Sequence, residues 1–359
     1  MSYCPATLEA CPTLQDQIYN YFDTCGSSLH MESIPMAEFI ASGANRSNLT
    51  QVISPGNGKV RTIDLLYEQM ILESAVTAGE TEFCTATTKR GNCSHQYTID
   101  TTDNLTIEQK IDSDDLTDVC INNGEWLSRQ ITRMMIALEH RIASKWATQV
   151  VALAGDWNTA DIPETVDGGG NLVIPVSTDL GALSPVASQI LSNDLSLNGF
   201  CGPTFVAGGT VLYRYMAASM AAGCCTDQGL DIGAMTSKWG MAVAYDRRIK
   251  NSMGGDAFAL AVMQGAVVPL TWTKNQWRDG VAVPTGGSNY VNYGLLTPRL
   301  SIPVDVYFVD NCPGVFHITI SAVTNLVGLP ADLYPTGYIL DGWKGVAKIK
   351  ATTCVDPCA

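Results

Sequence analysis

NNGEWLSRQITRMMIALEHRIASKWATQVVALAG, residues 122–155, carries the most regular hydrophobic pattern in the chain. Leu127, Ile131, Met134, Leu138, Ile142, Trp146, Val150 and Leu153 recur at spacings of three and four, the period of one helical face, and Gly155 closes the run. Asn122 with Glu125 three residues on has the form of a capping box, with Asn in place of Ser or Thr. A helix over 124–154 has 31 residues. At 1.5 Å of rise per residue it is about 46 Å long, more than the roughly 30 Å across a small domain. The spacing therefore predicts one very long helix in an elongated molecule. Arg129, Arg133, His140 and Arg141 fall off the apolar stripe, where they are expected as solvated or partner-facing charges. No strict heptad is sustained and no e/g charge pairs accompany it, which argues against a coiled coil.

On the N-terminal side, Leu14, Ile18, Tyr21 and Phe22 predict a short amphipathic helix ended by Gly26, and a second short helix is expected over 35–42, ending at Gly43. Asn45 to Asn57 has loop chemistry, with Ser54-Pro55-Gly56-Asn57-Gly58 as a turn. A helix over Leu65–Val76, alternation at Tyr97, Ile99, Leu105, Ile107 and Ile111, and a polar tip at Thr85–Ser94 make 60–119 a long excursion that returns in β conformation. A hairpin of that kind is marginal alone in water and needs a partner surface.

On the C-terminal side, Leu172–Val176 reads as a strand, and Ser184-Pro185 as the N-cap and first position of a helix. Pro203–Ala207 is a strand, Thr210–Ala222 a small-residue helix, and Gly223-Cys224-Cys225 its exit. Trp239–Tyr245, 257–263, 266–272, 304–309 and 315–321 add strands. One long helix beside a multi-part sheet is an α+β architecture. No internal repeat or low-complexity block is present.

The 359 residues (38.5 kDa) are 46% hydrophobic and 16% charged, a globular composition with ample material for a core. Residues 1–125 hold 6 Lys/Arg against 18 Asp/Glu, whereas 126–359 hold 15 against 17, so the net charge of −14 is concentrated in the first third. Its densest part is Asp100–Asp118, where seven acids face only Lys110. Such a surface repels a phosphate backbone and argues against a DNA-reading role, while keeping adsorption to nearby nucleic acid low. The opening MSYCPATLEACPTL has no basic leader before an apolar core, so no secretory signal is expected. The longest weakly polar stretch, Ala257–Leu270, is 14 residues interrupted by Gln264 and Gly265, short of the roughly 18 to 20 that span a bilayer.

Catalytic motifs are missing. There is no phosphate-binding G-x-x-x-x-G-K-[ST], no G-x-S-x-G, and Gly168-Gly169-Gly170 is not a dinucleotide fingerprint. His30, His95, His140 and His317 form no zinc-binding pair, and Asp112-Ser113-Asp114-Asp115 fails as a calcium loop at Leu116 and Thr117. No enzyme activity, cofactor or metal is expected. The twelve cysteines include no C-x-x-C, and free or buried thiols are the expectation, although Cys4 and Cys11 closing with Cys354 and Cys358 is geometrically conceivable. Four sequons, at Asn45, Asn48, Asn92 and Asn104, carry little weight without a signal peptide.

The order of parts is an acidic arm, a long β excursion, one very long helix and a compact α+β portion. In that order the chain resembles the major capsid proteins of tailed bacteriophages of the Hong Kong-97 type. Asp246-Arg247-Arg248-Ile249, Ala257–Val268 with its Gln264-Gly265-Ala266, and Ile302-Pro303-Val304-Asp305-Val306 also resemble that family. The resemblance implies an N-terminal arm at 1–58, an extended loop at 59–121, a spine helix and part of a peripheral domain at 122–184, an axial domain at 185–290, and remaining peripheral and axial strands at 291–359. It implies pentamers and hexamers of an icosahedral shell around packaged double-stranded DNA, with no sequence-specific binding, in a virion assembled in the bacterial cytoplasm. Separate scaffolding, portal and decoration proteins are the implied partners, and no membrane. Lys89, Arg90, Arg129, Arg133, Cys224, Cys225 and Asp227 are the implied interface residues. The cysteine content exceeds what the family leads one to expect. Three readings stand beside this one: a thiol enzyme using Cys224 or Cys225, a secreted disulfide-bonded binding module, and the shell of a cellular nanocompartment.

Overall fold

In the computed structural model of the chain, the residues described are 32–44, 50–54, 60–67, 93–100, 103–112, 123–157, 165–177, 186–200, 202–211, 241–273, 290–312, 315–328 and 345–354. The architecture is α+β. Its described residues fall into two compact units, one drawn from Met1–Ile34, Thr101–Lys145 and Leu270–Asn325, the other from Pro35–Asp100, Trp146–Pro269 and Leu326–Ala359.

The short helix expected over 35–42 is α1 (Pro35–Ala44), with Pro35 at the first helical position, where its missing N–H costs nothing. After it come β1 (Thr50–Ser54), β2 (Val60–Tyr67) and β3 (Cys93–Asp100), an antiparallel sheet with β2 in the middle. Three expectations fail here. Thr50–Ser54 is strand rather than loop, Leu65–Tyr67 is strand rather than the start of a helix, and Cys93 and Ser94 are strand rather than tip. Pairing on both sides overrides local helix propensity: Leu65 lies opposite Gln51 and His95, and Leu66 opposite Thr50 and Ser94.

β4 (Leu105–Asp112) belongs to a different sheet, pairing antiparallel with β12 (Val315–Gly328) from Leu105 opposite Ala322 to Asp112 opposite Val315. That sheet also holds β9 (Val267–Trp272), β10 (Tyr290–Leu296) and β11 (Pro303–Cys312), in the order β10-β11-β12-β4 with β9 also on β12. The register shifts between Asp310 and Cys312. The predicted long helix is α2 (Asn123–Ala152), 30 residues. Within the first unit, its Ile131, Met134, Met135, Leu138 and Ile142 are buried, as are Leu295, Val304, Val306, Ile318 and Ile320 of the sheet. Strand alternation is plain in β12, where Ile318, Ile320 and Ala322 are buried and His317, Thr319 and Ser321 are half-buried.

The second unit is built on a mixed five-stranded sheet, β5 (Asn171–Ser177), β13 (Val346–Cys354), β8 (Phe258–Met263), β6 (Thr204–Gly208) and β7 (Met241–Tyr245), in that order. β13 is parallel to β5 and antiparallel to β8, and β6 is antiparallel to β8 and parallel to β7. With α3 (Val186–Leu197) it closes a core of Leu172, Ile174, Leu191, Leu195, Val206, Ala261 and Ile349 among others. The Trp157 indole N–H donates to the Lys348 carbonyl at 2.8 Å. The expected helices over 14–22 and 68–76, and all but Thr210 and Val211 of the one over 210–222, lie outside the described residues.

Candidate assembly surface

Asp246 ends β7 in extended backbone (φ −131°, ψ 109°) and caps α4 (Arg247–Met253), which closes at Gly254 in the left-handed region (φ 90°). Its Oδ1 accepts from the amides of Arg248 (2.9 Å) and Ile249 (3.4 Å), while Oδ2 accepts from the Met36 amide of α1 at 3.3 Å. One buried carboxylate thus serves the N-termini of two helices, each with unpaired amides and a partial positive charge. Phe39 of α1 stacks on Phe205 of β6, with centroids 5.0 Å apart and planes 18° apart. A Cβ on Gly43 would stand 3.2 Å from the Gly265 amide nitrogen. α1 is thereby seated on β6 and on the turn after β8.

The turn after β6 requires glycine. A Cβ on Gly209 would lie 2.0 Å from the Asp256 carbonyl oxygen, and one on Gly208 would lie 2.4 Å from Ala259 Cα. Asp256 receives the Thr210 hydroxyl at 3.1 Å and the Lys250 ammonium at 2.7 Å. That hydrogen bond from Lys250 holds the Asp256 carboxyl below its usual value and raises Lys250 in return.

In the first unit, Glu139 of α2 is fully buried, and its Oε1 accepts from the backbone amides of Arg299 (2.8 Å) and Leu300 (2.9 Å). These amides belong to the turn between β10 and β11, which is tightened by Ile302 N–H to the Thr297 hydroxyl (3.1 Å) and contains Ser301 at φ 51°. Burial pushes the Glu139 carboxyl up, against the lowering effect of the hydrogen bonds from Leu300, Arg299 and Thr297. The Arg299 guanidinium donates to the Glu32 carbonyl at 3.1 Å. Further along α2, the Lys145 ammonium meets Asp103 at 2.8 Å.

Asp167 organises the glycine loop of the second unit. Its Oδ1 accepts from Gly169 N (2.9 Å), Asn171 N (3.0 Å) and Asn171 Nδ2 (2.8 Å), and its Oδ2 from Lys350 Nζ (3.2 Å). The Asn171 amide, above all, lowers the carboxyl to about 2. Lys350 also stands 5.6 Å over the Phe258 ring.

Of the interface residues named from sequence, Arg129 is half-buried and Arg133 exposed on α2, whereas Lys89, Arg90, Cys224, Cys225 and Asp227 lie outside the described residues. Among the cysteines, Cys93, Cys312 and Cys354 sit in strands and the other nine lie outside the described residues. Among the described residues no three His, Cys, Asp or Glu are grouped to hold a metal, and no helix is long and apolar enough to cross a membrane.

No family model and no curated protein matches the chain. Solved structures do. The cyanophage A-1(L) capsid asymmetric unit is 10% identical, with a TM-score of 0.48, over 90% of this chain and 94% of that one. The capsid of cyanophage P-SCSP1u is 9% identical, with a TM-score of 0.41, over 84% and 86%. The mature capsid of bacteriophage PhiM1 is 8% identical, with a TM-score of 0.40, over 83% of each. The chain is similar in structure to phage capsid proteins. Sequence reasoning missed the roles of Glu139 and Asp246. Glu139 stood in the sequence as an acid inside an apolar run, Met134–Ile142, and that anomaly was the available signal. Asp246 had the form of an N-cap before Arg247-Arg248-Ile249.

Proposed function

We propose that the chain is a structural major capsid protein of the Hong Kong-97 type, self-assembling into the pentamers and hexamers of an icosahedral shell that encloses phage double-stranded DNA. The observation that carries this is the succession of elements. An antiparallel ribbon of β2 and β3 is joined by the 25 residues 68–92, and after β4 follows a single 30-residue helix. A ribbon edge presents backbone groups that a neighbouring copy can pair, and head-to-tail contacts of that kind form rings where the rotation between copies closes.

In this reading 1–58 is the arm, 59–121 the extended loop, 122–184 the spine helix with part of the peripheral domain, 185–290 the axial domain, and 291–359 the remaining strands. Lys89, Arg90, Arg129, Arg133, Cys224, Cys225 and Asp227 lie at subunit contacts. Scaffolding, portal and decoration proteins are separate chains, no catalysis is involved, and assembly takes place in the bacterial cytoplasm before the protein resides in the virion. The test is size-exclusion chromatography with light scattering on the purified chain, alone and with a scaffolding partner, followed by negative-stain microscopy. Rings of five or six, or closed shells, are expected. A 38.5 kDa monomer under every salt and pH condition would overturn the reading. Deleting 85–94 should leave a folded subunit that forms no shells.

A further inference from the structure

β4 stands at the end of its sheet, in the order β10-β11-β12-β4, so one of its edges has no strand beside it among the described residues. The strand is held firmly on its other side. It pairs with β12 from Leu105 to Asp112, the Asn104 side-chain amide donates to the Ser321 hydroxyl at 3.4 Å, and the Gln109 side-chain amide donates to the Gln130 side-chain oxygen of α2 at 3.5 Å. Leu105, Ile107 and Gln109 are half-buried on one face, and Thr106, Glu108 and Lys110 are exposed on the other. Within the sheet, Glu108 lies opposite Thr319 and Lys110 opposite His317, and among the described residues neither makes an ion pair. An edge open in this way carries one acid and one base, two positions apart.

We infer that a second copy of the chain pairs antiparallel with this edge, β4 on β4, about a two-fold axis at Gln109. Like faces stay together in a continuous sheet, so even-numbered residues meet even-numbered ones, and the register is named by the residue on the axis. With Gln109 there, Glu108 of each copy meets Lys110 of the other, and residues 106–112 overlap. With Glu108 or Lys110 there, like charges face each other, which disfavours pairing. With Ile107 there, Glu108 meets Thr106 and Lys110 meets Asn104, and no charges pair. With Ile111 there, only 110–112 overlap. The charge pattern thus favours one register and opposes both of its neighbours, whereas a lone Lys or Glu on an edge only discourages pairing. A strand of unrelated sequence would have to supply the same two charges in reverse order, and a second copy does so by symmetry. The contact is isologous, unlike the head-to-tail contacts of a ring. It rests on the capsid reading for its role, which is to join one ring to the next.

The experiment is zero-length carbodiimide cross-linking of a mixture of isotope-labelled and unlabelled full-length chain, read by mass spectrometry, with self-association followed by sedimentation velocity. A cross-link from Glu108 to Lys110 that joins a labelled to an unlabelled peptide is expected. Glu108→Lys alone and Lys110→Glu alone each set like charges opposite one another, and each should weaken self-association on the order of tenfold, a loss that shrinks as salt is raised. Glu108→Lys with Lys110→Glu in one chain should recover it, and so should an equimolar mixture of the two single variants. Both positions are exposed, and circular dichroism checks that the variants fold. No mixed-label cross-link between these residues, single variants that associate like the parent, or a mixture that does not recover would each overturn the inference. So would Lys110 joined instead to Glu9, Asp16 or Asp23 of its own copy, which would assign the edge to the N-terminal segment. Closed shells that form normally from either single variant would leave the capsid reading standing and remove this contact, and charge-dependent pairs without rings or shells would do the reverse.

Discussion

The carboxylate of Asp246 reaches the Met36 amide at 3.3 Å, across 210 residues of sequence, while its other oxygen caps α4. Replacing Asp246 by Ala leaves amides at two helix N-termini without their acceptor. A loss of about 2 kcal/mol or more is expected. Asp246→Asn, which still caps, should lose less. Urea denaturation separates the two, and hydrogen exchange should speed up at Met36, Arg248 and Ile249 in the Ala variant.

Gly209→Ala should be among the most damaging single changes, because its methyl would stand 2.0 Å from a backbone carbonyl that cannot turn away. The expected cost is about 3 kcal/mol, the upper end for overpacking, or loss of soluble protein. Gly168→Ala is the control. No atom lies within 4 Å of its would-be Cβ, and its melting temperature should stay close to that of the parent chain.

Glu139 gives a pH signature of definite sign. Its native carboxyl titrates above its ordinary value of 4.5, so the native state holds the proton more tightly than the unfolded state. That contribution is fully present below 4.5 and is lost as pH rises through the raised native value. Glu139→Gln keeps an acceptor for Arg299 and Leu300 and removes the titration. It should be at least as stable as the parent at neutral pH, with the advantage shrinking in acid. Glu139→Ala should be destabilised at every pH by about 2 kcal/mol or more, through two buried amides without a partner. Denaturant midpoints measured from pH 4 to 8 would decide.

Asp167 runs the other way. Lowered from 3.8 to about 2, its carboxyl adds stability that is present above 3.8 and lost as pH falls toward 2. Asp167→Ala should therefore flatten the acid limb of the stability curve. If the limb between pH 4 and 2 were unchanged, the loop at 167–171 would not depend on this carboxylate.

α2 was legible because one helix buries residues at a fixed period, and Ile131, Met134, Leu138, Ile142, Trp146 and Val150 are all buried. β12 was legible from its alternation. β2 was not, since Leu65-Leu66-Tyr67 is neutral between helix and strand until partners on both sides fix it. β13 hid its alternation in small residues: Ala347, Ile349 and Ala351 face inward against Lys348 and Lys350, and alanine carries little hydropathy. The roles of Glu139 and Asp246 depend on amides 160 and 210 residues away, which no local pattern encodes.

The place of β13 bears on how the protein is made. It inserts between β5 and β8, and its pairing with β5 runs to Cys354. A ribosome has therefore delivered every other strand of that sheet before the one that joins β5 to the rest emerges. Until then the nascent chain holds β8 with an open edge, the state in which unfinished sheets pair with the wrong partner. Chaperone engagement late in translation, relieved when residues up to 354 leave the exit tunnel, is the expected consequence, and chains stalled before residue 346 should be the ones that aggregate.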